Sequence, residues 1–228
     1  MLVYEYLRSA AGPGDSILDI GTKTGEHLRG TSGRLVASDI AFQRTNEPVE
    51  YVQCDGRQLP FDSNTFDFVV CNQVIEHVED DDALLGEMSR VLTREGTALV
   101  AFPNRFTLNK PHGLPRFASI LPKRVGIHVF KRTLDSERLE YYKNHLHPVS
   151  PREARKILEK CFETVEYATI SISSDHPEIY SGGPASSAFR NALTAISAAT
   201  RFGPIERAFE SVWGHVAYKC TNPRREEP

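Results

Sequence analysis

The sequence lacks the features that mark several classes of protein. No run of apolar residues approaches the 18 or so that a membrane-spanning helix needs, and the first residues, MLVYEYLRSA, carry charges where a signal peptide has its apolar stretch. The four cysteines show no CxxC spacing, so neither a zinc ribbon nor a disulfide framework is indicated. Internal repeats, low-complexity tracts and RNA-binding motifs are also missing. We therefore expect a cytoplasmic protein with reduced thiols, no metal site, no transmembrane segment and no nucleic-acid partner.

Length and composition favour one globular domain. A chain of 228 residues with 40% hydrophobic and 25% charged residues suits a single core. We predict one domain over residues 1–228, with a lid or cap insertion at 103–148 and a second helical insertion at 173–213. The lid segment carries 9 basic and 3 acidic residues, whereas residues 1–102 carry 8 basic and 17 acidic ones. This basic island predicts either a patch for an anionic partner or a solvated face.

Hydrophobic periodicity predicts an α/β fold. Short apolar runs predict seven strands, at 16–20, 33–39, 49–54, 66–71, 97–102, 163–172 and 215–220. Helical spacing predicts helices at 2–11, 79–92, 151–162, 185–200 and 205–212. This alternation favours a mostly parallel seven-stranded sheet with helices on both faces and an insertion after the fifth strand. Such sheets bind ligands beyond the carboxyl ends of their strands.

Two strand-end features point to a nucleotide-like ligand. The segment ILDIGTKTG, residues 17–25, combines a buried strand with a glycine-bearing turn into a helix, where a ligand can approach the backbone closely. Asp39 ends the second strand, 18 positions after Gly21. At about this spacing a carboxylate meets ribose hydroxyls. Both features also fit a nicotinamide-dependent oxidoreductase, which therefore remains an alternative.

A longer succession of motifs narrows the choice. CDGRQLPF at 54–61 and FDFVVCNQVIEHV at 66–78 follow the first two motifs, and MSRVLTREG and FPN continue the series as far as residue 104. Over about residues 15–104 the chain resembles the class I S-adenosylmethionine (SAM)-dependent methyltransferases, particularly the type 11 subgroup. The resemblance implies a Rossmann-like methyltransferase fold, SAM as cofactor, and methyl transfer to a small-molecule or lipid- or sugar-linked acceptor. The basic island favours an anionic acceptor.

The resemblance also implies which residues hold the cofactor. The methionine part would be held by the glycine turn and the strand before it, namely by Asp19, Gly21, Thr22, Lys23 and Gly25. The nucleoside would be held by residues that follow the second and third strands, namely Asp39 on the ribose and Ile40, Asp55 and Gly56 on the adenine. Asn72 and Gln73 would close the pocket near the sulfonium. The alternative is that these strand-end Asp and Asn residues only cap turns.

Lys23 departs from the family pattern, because it stands where the glycine loop usually has a central glycine. One interpretation is that its side chain points outward and leaves the loop backbone free. The other is that it obstructs the cofactor and marks a degenerate, methyltransferase-like binding protein without catalysis. We favour the first interpretation, because the other cofactor positions carry chemically suitable residues.

The catalytic residues cannot be named from the sequence, because a general base is needed only when the acceptor must lose a proton early. The basic insertion offers His145, His147 and Tyr141 as candidates for shaping or deprotonating the acceptor. His77, in the EHV segment, is predicted to have a structural or pocket-wall role. The predicted anion contacts are Arg116, Lys123, Arg124, Lys131 and Arg132. A metal site at His145 and His147 is the weaker alternative, since no carboxylate partners are obvious.

Overall fold

The computed structural model describes residues 2–41, 43, 45–105, 114–115, 118, 120–175 and 215–224. The helices predicted at 185–200 and 205–212, and most of the insertion predicted at 173–213, lie outside these residues. Within the described part of the chain, no helix is both long and apolar enough to cross a membrane.

One seven-stranded sheet organises the fold. Its strands are β1 Ser16–Ile20, β2 Arg34–Asp39, β3 Glu50–Gln53, β4 Phe66–Asn72, β5 Leu92–Pro103, β6 Phe162–Tyr167 and β7 His215–Pro223. The strand order is β3-β2-β1-β4-β5-β7-β6. The first five strands are parallel, and β7 runs antiparallel to both of its neighbours. The predicted fold class is therefore confirmed.

Helices cover both faces of the sheet, as the two-residue periodicity of the strands requires. Ile17 and Val70 point to one face, and their neighbours Leu18 and Val69 point to the other. The first face packs on the first helix, and the second face packs on two later helices. These helices are α1 Leu2–Ala10, α2 Asp81–Val91 and, after the lid, α5 Pro151–Cys161.

Local signals in the sequence explain where the two later helices begin. The Asp80 side chain accepts a hydrogen bond from the Ala83 N–H at 3.0 Å, which caps α2. At the start of α5, Ser150 and Glu153 cap each other's backbone N–H groups, and Pro151 occupies the first helical position. The helix predicted at 151–162 is thus confirmed.

The strand predicted at 163–172 is wrong in its second half. β6 ends at Tyr167, and residues Thr169–Asp175 form helix α6 instead. The Thr169 side-chain oxygen accepts the Ala217 N–H at 2.7 Å, which ends the backbone pairing with β7. The alternation of apolar and polar residues at 168–172 therefore predicted a strand wrongly, because tertiary contacts override such short patterns.

The chain between β1 and β2 forms less helix than the glycine turn suggested. Only a single 3₁₀ turn, Glu26–Leu28, follows the loop. Gly30 and Gly33 then adopt φ angles of +80° and +108° and turn the chain back towards β2. Gly33 must lack a side chain, since a Cβ atom there would lie 2.3 Å from the Asp15 carbonyl oxygen.

Two helices of the predicted lid are described, α3 Lys123–Phe130 and α4 Ser136–Asn144. They pack around a small apolar cluster of their own, formed by Leu114, Ala118, Phe130, Tyr142 and Leu146. Close approach of the two helices depends on Gly126, because a Cβ atom there would lie 2.0 Å from the Tyr142 hydroxyl oxygen. That hydroxyl donates to the Ala118 carbonyl at 3.1 Å. This segment therefore has a core separate from the sheet.

Candidate active site

A cavity of about 500 Å³ opens beyond the carboxyl ends of β1, β2, β3 and β4. Its size falls within the range of small-molecule and cofactor sites. The walls come from the turns that follow these strands, and from Asn144 and His145 at the end of α4. The cavity therefore lies at the edge of the sheet that the parallel topology predicts.

Two glycines of the cavity wall pack closely against neighbouring side chains. Gly21 has a φ angle of +72°, and a Cβ atom there would lie 2.3 Å from a methyl carbon of Val74. A Cβ atom at Gly56 would lie 2.9 Å from a methyl carbon of Leu84. Gly21 therefore requires glycine for both conformational and steric reasons, whereas a side chain at Gly56 would first press on the end of Leu84.

Asp39 joins the loops that follow β1 and β2. One carboxylate oxygen accepts the backbone N–H of Lys23 at 2.9 Å, and the other accepts that of Ala41 at 2.9 Å. Each carboxylate oxygen can accept a second hydrogen bond, so Asp39 retains capacity for two ribose hydroxyls. This carboxylate therefore shapes the loop and also faces the cavity.

Lys23 takes the backbone conformation that a glycine would adopt. Its φ angle is +54°, its carbonyl accepts the Gln43 N–H at 2.7 Å, and its side chain is exposed. Lys23 does not line the cavity. The left-handed conformation costs a residue with a side chain about 1–2 kcal/mol of stability.

Asp19 lies beneath the glycine loop and is fully buried. The Tyr4 hydroxyl of α1 lies 3.0 Å from each of its carboxylate oxygens and donates to them. Burial raises the pKa of this carboxyl to about 7. Asp19 does not line the cavity, so a contact with the cofactor would have to pass through the loop above it.

In the cavity wall after β3, Asp55 is already paired with a cation that the sequence reasoning missed. The Arg57 guanidinium binds its carboxylate at 2.7–3.1 Å, and this hydrogen bonding lowers the pKa of Asp55. Arg57 lines the cavity, and its place two residues after a strand-end acid was the available signal. Ile40 is 67% exposed at the same edge, an unusual exposure for a large apolar side chain.

The turn after β4 lines a further part of the cavity, with Gln73, Val74 and His77 in its wall. Gln73 has a φ angle of +58°, and its N–H donates to the Ala101 carbonyl at 2.7 Å. His77 lines the cavity, as its predicted wall role requires. Its Nδ1 atom lies 2.8 Å from the His145 carbonyl oxygen. This contact joins the turn to the lid segment that follows α4.

The three candidate catalytic residues surround this turn. His145 lines the cavity, and the rings of His77 and His145 each lie 6.1 Å from that of Tyr141. Burial, followed by the nearby Glu76, raises the pKa of Tyr141 to about 12, which makes its phenol a poor base at neutral pH. His147 donates its N–H to the Glu76 carbonyl at 2.7 Å.

The predicted anion contacts lie apart from the cavity. Lys123 donates to the Leu146 carbonyl at 2.9 Å and so fastens α3 to the end of the lid. Arg124, Lys131 and Arg132 are exposed, and none of these four cations lines the cavity. Arg116 lies outside the described residues. The described cations of the lid could therefore act on a substrate only at long range.

The predicted cofactor residues thus fall into two groups. Those that line the cavity are Gly21, Asp39, Ile40, Asp55, Gly56 and Gln73. Those that lie in or beneath its loops without lining it are Asp19, Thr22, Lys23, Gly25 and Asn72. Gly25 illustrates the second group, since a Cβ atom there would lie 2.9 Å from Val49 on the far side of the loop. Among the described residues, no group of three His, Cys, Asp or Glu side chains could hold a metal ion.

The known proteins that this chain resembles in sequence or structure include several methyltransferases. A family model described as "Methyltransferase domain" matches residues 10–100. The ubiquinone/menaquinone biosynthesis C-methyltransferase UbiE of Shewanella oneidensis is 31% identical over 186 residues, covering 72% of each chain. A putative methyltransferase of Bacillus halodurans has a similar structure, with a TM-score of 0.53 at 17% identity over 98% of this chain and 99% of that one. The geranyl diphosphate C-methyltransferase of Streptomyces coelicolor, solved in complex with S-adenosyl-L-homocysteine, has a TM-score of 0.51 at 14% identity. The match covers 96% of this chain and 79% of that one. The two solved structures share the fold.

Proposed function

The chain belongs to the class I SAM-dependent methyltransferases, and on that premise we propose that it methylates a small-molecule or lipid- or sugar-linked acceptor enclosed by the segment between β5 and α5. The enzyme is SAM-dependent, so the nicotinamide-dependent and non-catalytic alternatives are set aside. What remains to be assigned is how this chain holds the cofactor, and what it methylates.

We assign the nucleoside of SAM to the cavity wall formed by Asp39, Ile40, Asp55 and Gly56. The observation that supports this most strongly is the combination of an acceptor-rich carboxylate at Asp39 with the exposed apolar side chain of Ile40 beside it. Asp39 would accept from the ribose hydroxyls, and Ile40 would pack on the adenine. The Asp55 carboxylate would accept a hydrogen bond from the adenine amino group, using lone pairs that Arg57 leaves available.

The methionine part would lie along the backbone near Gly21, which lines the cavity. Gln73 would close this end of the cavity, next to the sulfonium. Bound SAM supplies an activated methyl group. The residues of this chain chiefly orient the acceptor, exclude water and receive its proton, because in-line displacement depends on alignment of the reactants.

The acceptor would lie between the turn after β4 and the end of α4, where His77, Asn144 and His145 line the cavity. The name of the Shewanella oneidensis relative makes a carbon atom of a quinone precursor one acceptor to test. An anionic acceptor is supported by the excess of basic residues at 103–148. A single domain is supported by the sheet that contains both the first and the last strand, and a cytoplasmic location by the four free cysteines.

The acceptor class can be tested by measuring S-adenosylhomocysteine (SAH) formed from SAM under anaerobic conditions. We suggest 1,4-naphthohydroquinone as a neutral phenolic probe and glucose 6-phosphate as an anionic sugar probe. SAH formed above the acceptor-free control, and lost in Asp39→Ala at low SAM concentration, would support the proposal. If the protein binds SAM but yields no SAH with either probe, the acceptor belongs to neither class.

A further inference from the structure

One buried carboxyl at the acceptor end of the cavity is not explained by the fold. Glu76 lies in the 3₁₀ turn Ile75–His77 that follows β4, and its side chain is only 1% exposed. Neither of its carboxylate oxygens has a hydrogen-bond partner among the described residues. Burying such a group without a donor destabilises a fold. Its presence beside the cavity therefore suggests a functional role.

The nearest basic group to this carboxylate is on the cavity wall. The Nδ1 atom of His77 faces the carbonyl of His145, and because a carbonyl only accepts, Nδ1 carries a hydrogen. The Nε2 atom lies 4.0 Å from Oε1 of Glu76. A positive charge that arrives on the ring is attracted to a carboxylate at this distance, most strongly in a buried setting. The geometry therefore places the two groups side by side at the cavity wall.

The thiol and the phenol near Glu76 stay protonated and uncharged near neutral pH. Burial raises the pKa of the Cys71 thiol at the end of β4, and Glu76 raises it further. Burial also raises the pKa of Tyr141 on α4 to about 12. The segment after α4 contributes the backbone N–H of His147, which donates to the Glu76 carbonyl oxygen. Among the described residues, His77 is the one base within 4.0 Å of this carboxylate.

We propose that Glu76 and His77 together receive the proton of the acceptor during methyl transfer, His77 by contact with the acceptor and Glu76 as the positioning residue behind it. This inference rests on the proposed function. The acceptor it fits carries an acidic hydroxyl, as a phenol does. The O–H bond breaks and its proton passes to Nε2 of His77, because Nδ1 already carries a hydrogen. The electron pair left on that oxygen forms the bond to the methyl carbon, and the pair of the methyl–sulfur bond goes to sulfur.

The kinetic test compares Glu76→Gln, Glu76→Asp and His77→Gln with the wild type. Glu95→Gln is the matched control, because Glu95 is exposed on β5 away from the cavity. With 1,4-naphthohydroquinone and saturating SAM, the wild-type rate of SAH formation should rise with pH and level off above about 7, where burial places the pKa of Glu76. Both Gln variants should lose about 10²–10⁴-fold in kcat and the pH-dependent rise. Glu76→Asp should recover part of both.

Binding and titration separate this role from a structural one. All variants should bind SAM within about threefold of the wild type by calorimetry, since their cofactor contacts are intact. In protein labelled with ¹³Cδ-glutamate and saturated with SAH, the Glu76 carboxyl signal, identified by its absence in Glu76→Gln, should titrate near neutral pH. It should titrate at higher pH in His77→Gln, where a positive partner is lost.

The proposal is overturned if this signal titrates at the ordinary pH of a glutamate, or if Glu76→Gln keeps the wild-type kcat and pH profile. A wild-type protein that binds SAM but does not methylate the probe would contradict the proposed acceptor class instead. The carboxyl titration does not depend on turnover, so in that case it still decides whether the pair exists.

Discussion

One buried carboxyl lies behind the wall at each end of the cavity, and the two differ in their partners. Asp19, below the cofactor end, and Glu76, beside the acceptor end, are both buried, which raises the pKa of each to about 7. Asp19 accepts hydrogen bonds from the Tyr4 hydroxyl on both oxygens, whereas Glu76 has no such donor among the described residues. Packing of α1 on β1 therefore accounts for Asp19. Glu76 requires an explanation outside the fold.

The largest expected effect concerns stability as a function of pH. A carboxyl with a pKa near 7 in the folded state and near 4 when unfolded binds its proton more tightly in the folded protein. The free energy of unfolding therefore falls as pH rises from about 5 to 8, by about 3 kcal/mol for each carboxyl. Denaturant unfolding at pH 5 and pH 8 measures this change.

Glu76→Gln and Asp19→Asn should each remove about half of the decrease in the free energy of unfolding between pH 5 and pH 8, because each removes one titrating group. At pH 8, Glu76→Gln should be at least as stable as the wild type, since it removes an uncompensated charge. Asp19→Asn should gain less, because Tyr4 already compensates the Asp19 charge. An equal change in stability of the two variants at pH 8 would show that the Tyr4 hydroxyl does not compensate the Asp19 charge.

At the cofactor end, Asp39→Ala should weaken SAM binding by about 1–3 kcal/mol, through loss of charge-assisted hydrogen bonds to the ribose. Asp39→Asn is the matched control, because it keeps one oxygen that can accept from the loop N–H groups. Calorimetric titration measures both affinities. Wild-type affinity in a folded Asp39→Ala variant would remove this residue from the site.

At the acceptor end, reversing the charges of Arg124, Lys131 and Arg132 should raise the KM of an anionic acceptor roughly threefold to tenfold, because these exposed cations act at long range. Lys123 is left unchanged, since it fastens α3 to Leu146. SAM affinity should stay the same, and high salt should reproduce part of the effect. A KM that responds to neither treatment would make the charge of the lid incidental.

The smallest effect is expected at Lys23. Lys23→Gly should stabilise the fold by up to about 1 kcal/mol, because glycine adopts a φ of +54° without strain. SAM affinity should change less than about threefold, since the side chain is exposed and does not line the cavity. A large gain in SAM binding on this substitution would instead show that Lys23 obstructs the cofactor.

The cofactor end was largely predictable from the sequence, because its residues follow strand ends directly. The positions of Gly21, Asp39 and Asp55 are set by strands whose apolar runs are evident, and a parallel sheet brings such ends together. Arg57 was missed because the one signal for it, its place two residues after Asp55, is shared by many arginines near turns, and only the structure shows that it pairs with Asp55.

The acceptor end was less predictable, because its contacts join segments far apart in the sequence. His77 meets His145 across 68 residues, and Glu76 meets the backbone of His147. The EHV segment showed that acidic and basic residues are adjacent, but only the structure shows that Glu76 is buried without a donor. Periodicity likewise could not locate α6, where a side-chain contact rather than an apolar pattern ends the preceding strand.

The most direct test of the account is a calorimetric titration of the wild-type protein with SAM, SAH and NAD under identical conditions. The account predicts that SAM and SAH bind at micromolar concentrations, about −8 kcal/mol, and that both lose affinity in Asp39→Ala. NAD should show no saturable binding. Tight binding of NAD, or binding of SAM that is indifferent to Asp39, would contradict the assignment of this cavity to the cofactor.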